Sequence, residues 1–286
     1  MHFFKGNIAF LVILLALPFA VRLYAGEIKK PRLFHTINVA NAYVDGGYVM
    51  NPDPVVSSTI SLNWYGMYLR HWEMWDLSDY NSPERSARYD NNRQYRIESC
   101  NYVAGYTHSL NDFDIPLRIS FQAKYSQYPH RRIRTKRSDG SIRYRHTKGN
   151  QLAMFLRSDN LLPDWTKAKY FATLEIDYQP LSYYWLFKLH TDFHYPITDK
   201  VRVGVNQSLY TKPSRAHVAS TGHTGFAATA LTTTPYIRYQ IRENVYVRFY
   251  VGLAAALEQY TRDNWRRNKL NNRRNHWCGA SLTWDL

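Results

Sequence analysis

Apolar and polar residues alternate with a period of two along most of this chain. In Val245–Glu258, the odd-numbered positions from Val245 to Leu257 are apolar, whereas the even-numbered ones include Tyr246 and Arg248. Such alternation is typical of a strand with one apolar and one polar face. The length also suits a tilted strand that crosses a membrane, which needs about 9–11 residues.

Twelve segments of this kind follow one another, each ending in a turn or a polar loop. They are Leu33–Val44, Val55–Trp64, Met67–Leu77, Arg93–His108, Ile115–Tyr125, Asn150–Ser158, Lys167–Tyr178, Trp185–Tyr195, Val201–Thr211, Phe226–Gln240, Val245–Glu258 and His276–Leu286. The alternation breaks partway through the third and fourth segments, which indicates a bulge there. The last segment alternates to the final residue, so both its edges need partners, and a closed barrel supplies them most simply.

The connections between these segments sort by length. Those after segments two, four, six, eight and ten are short, and those after one, three, five, nine and eleven are long and polar; only the short connection at Gln179-Pro180 breaks the rule. Short turns on one side and long loops on the other are typical of outer-membrane barrels. We therefore expect an all-β, closed antiparallel transmembrane β-barrel of about 12 strands in an up-and-down meander. Ten or fourteen strands are alternatives, and a soluble secreted β-sandwich is the rival fold.

The N-terminus predicts export. Lys5 precedes an apolar run from Ile8 to Val21, and Leu23-Tyr24-Ala25 resembles a small-residue cleavage site. The run is shorter than the roughly 20 residues of a spanning helix, so we interpret residues 1–25 as a signal peptide, with an uncleaved anchor as the alternative. Residues 26–286 then form one barrel domain in the bacterial outer membrane, reached by secretion through the inner membrane.

Composition fits this location. Aromatic residues make up 16% of the chain, which suits membrane-interface girdles, and the mean hydropathy of -0.50 suits a barrel with a polar lumen. The net charge of +15 predicts anionic partners. Export argues against nucleic acid as that partner.

Cys100 and Cys278 lie on segments four strands apart, so two free thiols are expected.

Polar positions of the alternating segments are expected to line the lumen, either as a solute path or as a cross-paired plug. An excess of bases favours anions if a path exists. A shared metal at His190–Asp192 or Asp192–His194 is geometrically possible, but an ordinary polar wall is the simpler interpretation, and no metal site is predicted. The lumen residues are Arg118, Lys124, Arg157, Glu175, Asp177, Lys188, His190, Asp192, His194, Arg202, Arg238, Arg248 and Glu258.

Two long loops on the outer side are strongly basic. Arginine forks bind phosphate, sulfate and carboxylate in bidentate fashion, so these loops are candidates for binding lipopolysaccharide or anionic glycans. General attraction to a charged leaflet is the alternative. The basic residues are Arg131, Arg132, Arg134, Lys136, Arg137, Arg143 and Arg145 in the first loop, and Arg262, Arg266, Arg267, Arg273 and Arg274 in the second.

Three stretches, NAYVDGGYVMNPDPVVSSTISLNW, FLRSDNLLPDW and FHYPITDKVRVGV, make the chain similar to a group of Gram-negative outer-membrane barrels. The last strand resembles the insertion signal of that class, although it ends in Leu286 with Trp284 before it where the signal usually ends in Phe. The resemblance implies outer-membrane lipid and the barrel-insertion machinery as partners. It implies no activity, and it leaves the oligomeric state open.

The functional prediction is a porin-like, narrow diffusion channel with a preference for small anionic solutes. The alternative is a surface-exposed structural or binding barrel whose basic loops grip lipopolysaccharide or glycans. An enzyme is not expected, because no His-x-Ser pattern with a downstream Asn-Gly is present. No cofactor is expected either.

Overall fold

The computed structural model describes residues 30–45, 48–51, 53–77, 97–136, 142–163, 165–179, 184–212, 227–258 and 274–286. The predicted signal peptide lies outside these residues. Within them, a single 3-10 turn spans Asn111–Phe113, and no helix is long and apolar enough to cross a membrane. The strands are β1 (Arg32–Ala40), β2 (Tyr43–Asp45), β3 (Tyr48–Asn51), β4 (Val55–Trp64), β5 (Met67–Asp76), β6 (Ile97–Ser109), β7 (Leu117–Lys136), β8 (Ile142–Ser158), β9 (Lys169–Gln179), β10 (Tyr184–Pro196), β11 (Val201–Lys212), β12 (Ala227–Arg242), β13 (Val245–Ala256) and β14 (Arg274–Asp285).

Twelve of these strands close into an antiparallel barrel, which confirms the predicted fold and strand number. The order is β1-β14-β13-β12-β11-β10-β9-β8-β7-β6-β5-β4, with β4 pairing back to β1, while β2 and β3 form a separate hairpin. Each barrel strand therefore pairs with its neighbours along the chain. The ring closes where β1 pairs with β14, from Phe34↔Asp285 to Ala40↔Gly279. At this seam the amide of Leu286 donates to the Leu33 carbonyl over 2.7 Å.

The outer face of the barrel is a band of exposed apolar side chains. Residues opposite one another in an antiparallel ladder share a face, so the register assigns each position to the inside or the outside. The apolar positions of the sequence pattern lie outside, as predicted. Exposed examples are Ile37, Val39, Ile60, Leu62, Leu69, Phe121, Leu152, Leu174, Leu189, Phe193, Ile237, Phe249, Val251, Leu253 and Leu282.

Some predicted boundaries were wrong. The basic stretch predicted as a loop after Tyr125 is largely strand, because β7 runs to Lys136 and β8 begins at Ile142. Its ladder continues from Arg132↔His146 to Lys136↔Ile142, beyond a register shift at Tyr128/Arg132. An apolar outer face was the criterion for a strand, and this stretch lacks one because arginine or lysine occurs at both odd- and even-numbered positions.

Two further boundaries differ. The first strand ends at Ala40, and the predicted first loop contains the β2–β3 hairpin. Arg274 and Asn275, predicted as loop, open β14. The expected irregularity in the third and fourth segments is confirmed by a register shift between Met74 and Trp75 in the β5–β6 ladder.

Candidate functional site

The barrel interior holds nearly all the predicted lumen residues. By register, the inward face carries Arg118, Lys124, Arg157, Glu175, Asp177, Lys188, His190, Asp192, His194, Arg202, Arg238 and Arg248. Glu258 is the exception, because β13 ends at Ala256 and Glu258 lies beyond the strand. Alternation alone could not locate where that strand leaves the barrel.

Three arginines face one another on adjacent strands inside the barrel. Arg202 of β11 lies opposite Arg238 of β12, which lies opposite Arg248 of β13. We call these the arginine row. Like charges directly opposite on a sheet repel. Cation–π contacts with tyrosine rings offset part of this repulsion. The Arg238 guanidinium lies 3.6 Å from the Tyr246 ring centroid, and the Arg248 guanidinium lies 3.9 Å from the Tyr236 ring centroid.

The arginine row is only partly neutralised. Tyr236 donates its hydroxyl to Asp192 Oδ1 over 3.1 Å. The Asn206 amide, oriented to satisfy both neighbours, donates to Asp192 Oδ1 and accepts from Arg248 Nη2, each over 2.8 Å. Within the described part of the chain, no carboxylate oxygen comes within ion-pair distance of Arg202 or Arg238. Two guanidinium charges therefore face the lumen without an acidic partner.

A cavity lies beside these two arginines at the short-turn end of the barrel. Its volume is about 270 Å³, and three basic residues, Lys200, Arg202 and Arg238, line it together with one acid, Asp199, and the polar Thr198 and Gln240. Arg202 is the second residue of β11, which follows the short β10–β11 turn. The cavity thus combines positive charge with side-chain hydrogen-bonding groups, the chemistry that an anion requires.

A second arginine pair lies near the same end. Arg118 and Arg157 face each other across β7 and β8. Arg118 Nε lies 3.2 Å from Asp159 Oδ1, and Arg157 lies over the Phe171 ring at 5.0 Å. Phe171 in turn stacks on His194 at 5.9 Å. Basic and aromatic groups therefore continue around the wall from β7 to β13.

Two of the predicted acids, Glu175 and Asp177, lie toward the opposite, loop end of the lumen. Lys188 Nζ lies 2.7 Å from Glu175 Oε1 and 2.6 Å from Asp177 Oδ2, and His190 Nε2 lies 2.7 Å from Glu175 Oε2. Asp177 is completely buried. The ammonium lies between the two carboxylates, and this pairing offsets part of the cost of burying them. The interior is consequently polarised, with paired acids at the loop end and partly unpaired arginines at the short-turn end.

Of the two pairs that spacing allowed, His190–Asp192 and Asp192–His194, the structure brings only the second into contact. His190 contacts Glu175 across strands and Ser208 Oγ at 2.7 Å, while His194 Nδ1 lies 3.7 Å from Asp192 Oδ2. Among the residues that the structure describes, no three His, Cys, Asp or Glu side chains could hold a metal ion together. Sequence spacing missed the Glu175–Lys188 pair because these residues meet only through the β9–β10 register.

Aromatic rings cover glycines on the inner wall, a feature that sequence reasoning missed. The Tyr236 ring lies over Gly204, its direct partner on β11, where an added Cβ would come 2.5 Å from the ring. Tyr68 covers Gly105 and Trp277 covers Gly252 in the same way. Rings that lie flat on neighbouring glycines occupy little of the lumen. Glycine at inward positions opposite an aromatic residue is the sequence signal that could have predicted this.

Each of these tyrosines also reaches the strand beyond its glycine. Tyr68 donates to Gln122 on β7 over 3.1 Å, and Tyr250, which covers Gly279, donates to Asn38 on β1 over 3.0 Å. Tyr236 and Asp192 are connected likewise across β11. Three hydroxyls thus tie together strands that are not hydrogen-bonded neighbours.

Apolar side chains narrow the loop end of the lumen. Tyr43 of the β2–β3 hairpin lies 5.8 Å from inward-facing Trp72 and packs on the cluster of Ala40, Val55 and Met74. A second cluster on β12 and β13, built on Ala230, Ala254 and Ala256, packs against Tyr210 and Trp277. The hairpin therefore folds onto the inner wall at this end.

The predicted anion-binding residues divide into three groups. Arg131, Arg132, Arg134, Lys136, Arg143 and Arg145 lie along the β7–β8 ribbon, and Arg274 is the first residue of β14. Arg137, Arg262, Arg266, Arg267 and Arg273 lie outside the described residues. In the described part of the chain the β6–β7 ladder ends at Cys100↔Gln127, and the β7 residues of the first group lie beyond that pair.

No protein-family model and no curated protein sequence matches the chain. Among solved structures, an outer-membrane channel from Pseudomonas putida F1 matches with a TM-score of 0.51 at 6% identity, covering 91% of this chain and 97% of that one. The KdgM porin gives a TM-score of 0.46 at 8% identity over 89% of this chain and 99% of its own. The NanC porin gives 0.46 at 12% identity, covering 87% and 100%. The first of these likenesses shows the fold, a closed barrel of the outer-membrane type.

Proposed function

We propose that this chain is a narrow diffusion channel of a bacterial outer membrane with a preference for small anionic solutes. The observation that carries the proposal is the arginine row, in which Arg202 and Arg238 face the lumen without a carboxylate partner among the residues that the structure describes. Three arginines at directly opposed positions repel one another, and a passing anion relieves that repulsion. A charged wall of low dielectric also concentrates the field along the lumen.

The width of the lumen supports a small solute. Twelve strands enclose little more than their own inward side chains, and the hairpin narrows the loop end further. The glycine-covering rings keep their bulk against the wall. Ions and small organic acids fit this geometry, whereas folded proteins and long branched polymers do not.

Conductance in planar lipid bilayers tests the proposal. We expect discrete steps that scale with salt, and under a salt gradient a reversal potential of the sign for anion selectivity. Conductance steps with cation selectivity would contradict the anion preference but not the channel. Silence from a protein that is folded, as judged by heat-modifiable migration on gels, would contradict the channel itself.

A second candidate function rests on the β7–β8 ribbon. Each of the five pairs from Arg132↔His146 to Lys136↔Ile142 contains an arginine or a lysine. A projecting ribbon of this charge suits phosphate or acid groups of lipopolysaccharide or a glycan. Replacing Arg132, Arg134 and Arg143 with glutamine should then reduce retention on immobilised lipopolysaccharide, and replacing the outward Arg274 alone should not. Equal retention of both variants would end this candidate.

We propose no catalytic activity. Ser208, His190 and Glu175 do contact in the order of a hydrolase relay, at 2.7 Å for each contact. However, Ser208 lies in the middle of β11, paired on both sides with His190 and Thr232. The main-chain amides of a doubly paired strand are committed to the ladders, so they do not form the oxyanion hole that acyl transfer needs.

A further inference from the structure

The outer wall carries a stripe of polar residues at the depth where lipid is expected. His35, Ser58, His71, Glu73 and Tyr102 all lie on the outward face of β1, β4, β5 and β6, and we call them the polar stripe. On the same outward face, Trp64 closes β4 at the short-turn end and Trp75 lies near the other end of β5. Since tryptophans mark the membrane interfaces, His71 and Glu73 lie between them in the apolar zone.

The stripe is a connected set of polar contacts. His35 Nε2 lies 2.8 Å from Ser58 Oγ, and Ser58 is directly opposite Glu73. Glu73 Oε2 lies 3.4 Å from His71 Nε2, and the His71 ring lies 4.8 Å from that of Tyr102. About a quarter of the Glu73 side chain and a third of the His71 side chain remain accessible.

Part of the hydrogen-bonding capacity of the stripe is unused. No residue in the described ranges bonds the hydroxyl of the exposed Tyr102, and the carboxylate of Glu73 and the ring of His71 stay partly accessible at the outer face. Acyl chains offer neither donors nor acceptors, so these groups are costly in contact with lipid. A protein surface at the same depth would satisfy them.

We propose that the polar stripe is the interface between two copies of this chain in the membrane. Both copies of a membrane protein insert in the same direction, so a two-fold axis along the membrane normal brings each depth of the stripe against the same depth of its partner. The stripe suits this arrangement because it carries an acceptor, Glu73, beside donors, His71 and Tyr102. Such mixed charge is self-complementary, whereas a single-sign patch would repel its own copy.

The opposite wall provides a matched control. On its outward face Thr191 lies opposite Gln207, and Leu189 and Phe193 are exposed beside them. These two polar residues carry no charge. Replacing both with leucine removes two polar side chains from the outer face without touching the stripe.

Disulfide trapping in liposomes tests the inference. In a C100A/C278A background, a single cysteine replaces Leu69, which is exposed beside the stripe on β5, or Leu189 on β10 in the opposite wall. Mild oxidation should give a covalent dimer with Leu69→Cys and none with Leu189→Cys. Adding H71L/E73L to Leu69→Cys should remove the dimer, and adding T191L/Q207L should leave it.

An equal yield of dimer from both cysteines, no dimer from either, or a dimer that survives H71L/E73L would overturn the proposal. Heat-modifiable migration on gels shows for each variant that the barrel has folded. The proposal rests on the membrane location proposed above but not on transport. Bilayer conductance of the H71L/E73L variant should equal that of the parent per barrel, so failure of the interface and failure of the channel give different results.

Discussion

Neutralising the two unpaired arginines provides the sharpest test of the electrostatics inside this barrel. The double variant R202Q/R238Q removes two charges that lie opposite each other and line the cavity at the short-turn end. Glutamine retains length and hydrogen-bonding capacity, so the lumen should keep its width. R202K/R238K retains the charge and serves as the matched control.

The expected magnitude follows from Coulomb's law. A monovalent ion that passes about 7 Å from each guanidinium in water gains about 0.6 kcal/mol per charge, or about 1.2 kcal/mol from both. Screening at 0.1 M salt, where the Debye length is about 10 Å, reduces this by about half. The remaining ~0.6 kcal/mol favours the anion and disfavours a cation equally, so their permeability ratio should fall by about 1.2 kcal/mol, or roughly eightfold. In 0.01 M salt the loss should grow to about 25-fold, because screening weakens.

The assay is the reversal potential of single channels under a salt gradient, measured at both concentrations. R202K/R238K should keep the parent selectivity. If R202Q/R238Q leaves the reversal potential unchanged, or if its effect does not grow on dilution, the arginine row does not control permeation. A change in single-channel conductance at high salt, where screening is strong, would indicate a change in width instead.

Three further predictions concern the stability of the folded barrel, measured by urea unfolding in lipid vesicles. Tyr236→Phe removes the hydroxyl that binds Asp192 and should lower the free energy of unfolding by about 1–3 kcal/mol, whereas the outward Tyr239→Phe should have almost no effect. Lys188→Met leaves Glu175 and Asp177 without their shared ammonium and should cost about 3–5 kcal/mol, and a cost below 1 kcal/mol would show that the cluster is not held by its charges. Gly252→Ala should lower the free energy of unfolding by about 1–3 kcal/mol because an added Cβ would overlap the Trp277 ring. Gly149→Ala should be tolerated, because its Cβ would lie 3.7 Å from Ser126 Cβ. Equal effects of the two substitutions would show that packing against the ring does not limit this wall.

The alternation of side chains was sufficient to predict the barrel and most of its inner face. A strand in a membrane barrel contacts lipid on one side and polar groups on the other. Its apolar residues therefore mark the outward positions and its polar residues mark the inward positions. This is why the assignments of Arg202, Arg238 and Arg248 to the lumen agree with the register. The β7–β8 ribbon has basic residues at both odd- and even-numbered positions, so it lacks this alternation and was predicted as a loop.

Which residues contact each other across strands depends on the register of the strands, and the alternation of residues does not reveal that register. A shift by two residues preserves every inside and outside assignment while changing each cross-strand partner. The sequence therefore placed Glu175, Lys188 and His190 on one face without indicating that they form one ion cluster. The arginine row, the glycine-covering tyrosines and the polar stripe arise in the same way.

By itself, then, the sequence determined that this chain is a barrel of about twelve strands, which residues face inward, and that bases predominate among them. Only the tertiary structure decided which of those bases lack an acid and which outward residues join into one surface. The physical reason is that each residue's preference for lipid or for the polar lumen decides whether it faces outward or inward. Which residues pair across strands depends instead on the relative shift of two strands, and the closure of the whole barrel sets that shift.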